Sequence, residues 1–172
     1  MGLITDISVN LKGAYSNVLD LVTASANTDT GQRYRTLLQS GVAAGQADKM
    51  FSDTRTLTAS STEDLDLAGV LTDAFGAVIT FARIKALIVS AAAANTNNVL
   101  LGGVANGWAT FLSPAATGII TLRPGATVAM FAGVADATGY AVTAATADLL
   151  HVANSAAGTS VTYDIYIIGA SA

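Results

Sequence analysis

The stretch Thr159-Ser160-Val161-Thr162-Tyr163-Asp164-Ile165-Tyr166-Ile167-Ile168 alternates with a period of two. Val161, Tyr163, Ile165 and Ile167 fall on one face of an extended chain and Thr162, Asp164 and Tyr166 on the other, the pattern of a strand with one packed face and one wet face. The same period returns elsewhere in the chain. In Ala82–Ile88, Arg83 and Lys85 alternate with Ile84, Ala86 and Ile88, so a regular pleat predicts the two cations outward and the aliphatics inward. Ile119–Arg123, the turn dipeptide Pro124-Gly125 and Thr127–Phe131 read as a hairpin. Further strands are predicted at Arg55–Thr58, Glu63–Leu67, Asn98–Leu101, Gly139–Thr143 and Leu149–Ala153.

Breakers such as Ala68-Gly69, Gly102-Gly103, Asn106-Gly107 and Thr138-Gly139 punctuate these runs, and Asn95–Asn98 reads as a turn because asparagine tolerates left-handed backbone. No segment after Asp53 carries a capped helical stripe, and Ala91–Ala94 is too short to nucleate a helix. Roughly eight strands between Asp53 and Ala172 predict an all-β fold, a jelly-roll-like β-sandwich, with an immunoglobulin-like sandwich as the alternative. The N-terminal fifty residues differ in character. Ile7, Val9 and Leu11 alternate with Ser8, Asn10 and Lys12, Val18–Val22 is a second apolar run, and Thr23–Arg35 is polar and weakly patterned. Residues 1–50 are therefore expected to form an extended arm or additional strands of the sandwich, and residues 51–172 the β-sandwich domain.

Composition bounds the chemistry. The chain has 172 residues, 52% of them hydrophobic but only 12% charged, against about 25% charged in an average soluble domain. The apolar excess lies in small side chains: alanine is about a fifth of the residues, aromatics only 6%. Long charged side chains keep neighbouring proteins apart, so a surface this poor in them suits coverage by partner subunits. A net charge of −4 offers no electrostatic footprint for nucleic acid. With no cysteine and one histidine, thiolate nucleophiles, disulfide frameworks and zinc clusters are not expected. Met1–Ile7 contains Asp6 and lacks the basic and apolar regions of a signal peptide, and Arg83 and Lys85 interrupt the most apolar window, Ala77–Ala94, so no membrane span is expected.

The few groups able to do chemistry are weak candidates. His151 has no partner histidine or cysteine and reads as a structural or surface residue; Ser155, His151 and Asp148 lack the elbow and oxyanion loop of a hydrolase. Glu63, Asp64 and Asp66 form the densest carboxylate cluster, and Asp64 with Asp66 could contribute to a calcium site, but they read more simply as a solvated strand edge. Trp108, in the loop with Gly102-Gly103 and Asn106-Gly107, either stacks on a sugar or partner or tucks beneath its own loop. No catalytic, cofactor-binding or metal site and no cofactor is expected, and the chain is not expected to be an enzyme.

Several strings are similar to a group of small structural proteins of tailed bacteriophages and prophages. They are Ser52-Asp53-Thr54-Arg55-Thr56-Leu57, Glu63-Asp64-Leu65-Asp66-Leu67-Ala68-Gly69-Val70-Leu71-Thr72-Asp73-Ala74-Phe75-Gly76 and Ile79-Thr80-Phe81-Ala82-Arg83-Ile84-Lys85-Ala86-Leu87. Asn95-Thr96-Asn97-Asn98-Val99, Arg123-Pro124-Gly125, Asp136-Ala137-Thr138-Gly139-Tyr140-Ala141-Val142-Thr143, Val152-Ala153-Asn154-Ser155 and Tyr163-Asp164-Ile165-Tyr166-Ile167-Ile168-Gly169 continue the likeness over about the last two thirds of the chain. The resemblance implies a virion protein made in the host bacterial cytoplasm and placed on the capsid surface, as a decoration or cement protein. Its expected partners are the major capsid protein and further copies of itself, as a trimer, with neither nucleic acid nor membrane. The alternative is a receptor- or glycan-binding module of the tail or a head fibre.

Overall fold

The computed structural model describes residues 2–18, 25–108, 110, 113, 114 and 116–172. It is built of strands: β1 (Thr5–Val18), β2 (Ser25–Ser40), β3 (Gln46–Ala47), β4 (Lys49–Leu57), β5 (Thr62–Asp66), β6 (Arg83–Ala91), β7 (Val99–Gly102), β8 (Ile119–Leu122), β9 (Thr127–Phe131), β10 (Tyr140–Ala141), β11 (Leu149–Asn154) and β12 (Val161–Ala170). No helix occurs among the described residues, and so none long and apolar enough to cross a membrane. The apolar run Val18–Val22 lies largely outside the described residues.

The alternation at the C-terminus builds the centre of the molecule. β12 pairs antiparallel with β4 on one side and β6 on the other, and Val161, Tyr163, Ile165 and Ile167 are all buried. β9 and β10 share the far edge of β6, and a second sheet runs in the order β5-β11-β7-β8. Four nested pairs result: β4 with β12, β5 with β11, β6 with β9 and β7 with β8. The result is an all-β, antiparallel arrangement of two packed sheets, a β-sandwich. One continuous core fills the space between the sheets, drawing Phe51, Leu87 and Ile165 from one and Leu65, Val99, Leu101 and Val152 from the other.

Two local expectations are corrected. Pro124-Gly125 does form a turn, with the Ala126 N–H donating to the Arg123 carbonyl at 2.8 Å and Gly125 at φ +78°. The flanking strands do not pair with each other, however: β8 joins β7 and β9 joins β6, so the turn carries the chain from one sheet to the other. Pro-Gly with a positive φ at the second position makes a type II turn, whose twist splays flanking strands instead of pairing them.

The second correction concerns Lys85. The register between β12 and β6 slips between Ile168 and Gly169, so that Ile168 faces Ala86, Gly169 faces Ile84, and Lys85 is the extra residue of a bulge. The slip reverses the alternation: Ile84 and then Leu87, Val89 and Ala91 face the core, while Ala86 and Ile88 look outward. Lys85 is buried, and its ammonium donates to the Asp136 carbonyl at 2.7 Å. Loss of solvent pulls its pKa below the usual lysine value, an effect partly opposed by the charge of Asp136.

At the bulge the strands approach closely at Gly169, where a Cβ would press on the Arg83 carbonyl and come 2.7 Å from the Phe81 ring. Gly169→Ala is therefore expected to cost about 2 kcal/mol by forcing these neighbours apart. Gly133→Ala, at a position where a Cβ meets nothing within 4 Å, should leave the urea midpoint unchanged; equal midpoints for both variants would contradict the assignment.

Candidate functional site: an amphipathic ribbon

The N-terminal segment stands outside the sandwich sheets. β1 and β2 pair antiparallel from Thr5 opposite Leu38 to Val18 opposite Ser25, and β3 adds a short parallel strand at the root. Directly opposed residues of an antiparallel pair project from the same face, so the register sorts the side chains. One face carries Ile7, Val9, Leu11 and Tyr15 of β1 with Thr28, Thr30, Gln32, Tyr34, Thr36 and Leu38 of β2, and no charge. The other carries Asp6, Lys12, Asp29, Arg33 and Arg35, every charge among the described residues of the ribbon, with Leu37 beside Asp6.

The uncharged face begins buried and ends bare. At the root, Ile7 and Leu38 join Ala47 and pack on Ala86 and Ile168, with Ile88 and Phe131 alongside. Further out the same face is open: Leu11 is 62% exposed, Tyr34 57% and Tyr15 74%. On the opposite face Arg35 grips Asp6 through a fork, Nε to Oδ1 at 2.9 Å and Nη2 to Oδ2 at 2.7 Å. That hydrogen bond holds the Asp6 carboxyl below its ordinary pKa and raises Arg35. An isolated two-stranded ribbon is marginal in water, and this one extends its apolar face into solvent over most of its length. The alternation of Ile7, Val9 and Leu11 announces half of this design; Arg33 and Arg35 flanking Tyr34 carry the complementary signal in a stretch that reads as weakly patterned.

The titratable candidates are dispersed into structural contacts. Glu63 faces the rim between the sheets, accepting from Arg55 Nε at 2.7 Å and from the buried Tyr163 hydroxyl at 2.7 Å, while Arg55 Nη1 reaches Asp53 at 2.8 Å. Asp64 lies 2.6 Å from His151 Nδ1 across the β5–β11 pair, and Asp66 accepts the Ala68 N–H at 2.8 Å. Asp148 receives the Ala145 N–H and Ser155 the Asn98 N–H, so Ser155, His151 and Asp148 are engaged with three different partners. Among the described residues no group of three or more His, Cys, Asp or Glu side chains is placed to hold a metal ion.

Trp108 lies beneath its own loop, only 3% exposed, with Nε1 donating to the Ala141 carbonyl at 2.8 Å and the ring edge-on to Tyr140 at 6.4 Å. Asn95–Asn98 forms a loop whose side chains do structural work: Asn95 brackets Thr162 through both its backbone N–H and its carbonyl, and Asn97 donates to Asn154 and to the Ala156 and Thr159 carbonyls. Comparison of the chain with protein-family models, with curated proteins and with solved structures matches none of them.

The Glu63 cluster makes a prediction at high pH. Burial, reinforced by the hydrogen bond to Glu63, pushes the Tyr163 phenol above its ordinary value of 10.0. The folded chain thus retains a proton that the unfolded chain releases, so this contribution is intact below about pH 10 and declines as pH rises further. Urea unfolding from pH 8 upward should show an alkaline loss of stability that is smaller in Tyr163→Phe, although that variant starts about 1 kcal/mol less stable for want of the hydrogen bond. Parallel pH profiles for the two proteins would contradict this.

Proposed function

We propose that the chain is a structural protein of a tailed-bacteriophage particle, a capsid decoration protein that binds the major capsid shell as a homo-oligomer, with a trimer as the unit. The observation that carries this reading is the ribbon. An uncharged apolar face, continuous with the buried root yet open along its outer length, calls for a covering surface. The sparse charge of the whole chain supports it as well, because a surface with few ions is desolvated on docking at little electrostatic cost. The likeness of the strings quoted above to phage structural proteins supplies the setting.

A sandwich with nested strand pairs suits a shell protein for a mechanical reason. Unravelling the sandwich from its two end strands requires breaking the pair of β4 and β12, which runs from Leu57–Val161 to Lys49–Gly169. The side chains of this chain then act by buried area and hydrogen-bonded fit. The alternative, a receptor- or glycan-binding module, rested on an exposed Trp108; with that ring buried, the reading loses its stacking platform.

Particles purified from the phage or prophage that encodes the chain should contain it in amounts comparable to the major capsid protein, as judged by a stained gel or quantitative mass spectrometry. Its absence, or a trace amount matching tail components, would overturn the assignment to the capsid surface.

A further inference from the structure

The sheet on which the ribbon is rooted has an outer face that continues past the root. Cross-strand register arranges this face in rows. The first row, Met50-Ile168-Ala86-Phe131, lies where the root of the ribbon packs. The second, Ser52-Tyr166-Ile88-Ala129, is only partly covered: Ile88 is half-buried beside the root, while Ser52 and Ala129 are exposed and Tyr166 is 43% exposed. The third, Thr54-Asp164-Ser90-Thr127, is a hydroxyl ladder in which Thr54 donates to Asp164 at 2.6 Å and Ser90 meets Thr127 at 2.8 Å. Asp164 is the one charge in these three rows, and it already accepts a hydrogen bond. Beside the face, a cleft of about 320 Å³ opens, lined by Leu3, Met50, Ser52 and Phe75 together with the charged Asp48, Lys49 and Asp73.

We infer that the apolar face of the ribbon lies on the second and third rows of this sheet in another copy of the chain, so that copies join head to tail in a closed ring. Three observations select a second copy as the occupant. The first is continuity: the root already packs this face of the ribbon against this face of the sheet, and the neighbour's ribbon would extend the same layer by one repeat. The second is charge. Among the described residues the ribbon turns all five of its charges the other way, so these two surfaces meet without stranding an unpaired ion. Tyr15 and Tyr34 bring hydroxyls that can reach the ladder of the third row, and the cleft offers room for an aromatic side chain.

The third is area. Eleven residue pairs extend beyond Ile7 and Thr36, which at ~3.4 Å per residue and ~10 Å width gives a ribbon face of roughly 370 Å². One such contact buries only roughly 370 Å² on each partner, less than half the ~800 Å² of a standard interface, so a single pair is weakly held; a ring gives each chain two contacts and roughly 740 Å² in all. Such a donor-to-acceptor contact joins different patches on the two copies, and it makes a finite assembly only when the rotation closes into a ring. This inference deepens the reading of the chain as a self-assembling shell protein and rests on it for the setting, but its test needs no virion.

Because the chain lacks cysteine, single introduced cysteines report contact between copies cleanly. Leu11→Cys and Tyr166→Cys chains, each altered at an exposed position and each checked to melt as the parent does, are mixed in equal amounts and oxidised. A disulfide-linked dimer is expected from this mixture, and none from Asn10→Cys, on the charged face, with Tyr166→Cys. Tyr34→Cys serves in place of Leu11→Cys should the latter melt early. Light scattering on the uncross-linked parent should give a mass of about three times 17.3 kDa, reduced to that of one chain by Leu11→Asp with Tyr15→Asp. A parent that remains monomeric, Leu11→Cys chains that link chiefly to one another, or equal linking by the Asn10→Cys control would each overturn the inference. A chain that forms the ring yet is missing from purified particles would uphold the contact and remove the capsid assignment; a monomer abundant in particles would do the reverse.

Discussion

β12 is the strand on which both halves of the molecule depend. Its inward side chains Tyr163, Ile165 and Ile167 are fully enclosed between the sheets, and its two edges are occupied by β4 and β6 over nearly their whole length. One residue further on, Ile168 turns to the opposite face and becomes the seat for Ile7 and Leu38 of the ribbon. Core and ribbon are thus joined through adjacent residues of one strand. The bulge at Gly169 is possible because glycine admits the Arg83 backbone and the Phe81 ring at close quarters, and the same slip that passes Ile168 to the outer layer buries Lys85.

The ribbon follows a different logic. Its hydrogen bonds are local, and it buries apolar surface only at its root, so little in its own chain defends the outer part. An edge strand as long as β1 would ordinarily invite indiscriminate pairing. Here the charged face, with its Asp6–Arg35 fork, keeps one side hydrated, while the uncharged side is exposed along its outer length. The low charge of the sandwich surface has the same character, since a sheet face built of threonine, serine, alanine and aliphatic residues dehydrates easily.

Much of the fold was legible because strand alternation is a local signal. Val161, Tyr163, Ile165 and Ile167 could be assigned to the core from their spacing. What escaped was set by distant partners. Whether the residues flanking Pro124-Gly125 pair together or separate depends on the open edges of β7 and β6, and no dipeptide reports that. Lys85 was placed outward by a parity that holds only in a regular ladder, and the bulge that breaks it is visible only in the pairing with β12. For Trp108 both positions were open from sequence, and the Ala141 carbonyl thirty-three residues away decides for burial. On the ribbon, Ile7, Val9 and Leu11 were readable as one face; Tyr15, Tyr34 and the segregation of Arg33 and Arg35 emerge only once the register of β1 against β2 is known.

The central claim is that the outer ribbon is stabilised by another molecule of the same chain. Backbone hydrogen–deuterium exchange followed across a dilution series addresses it directly, because the sandwich amides serve as an internal standard. Protection of residues 8–16 and 28–35 that rises with protein concentration, while β6 and β12 remain equally protected throughout, is the predicted result. Ribbon exchange that is the same at every concentration, up to the highest attainable, would contradict it.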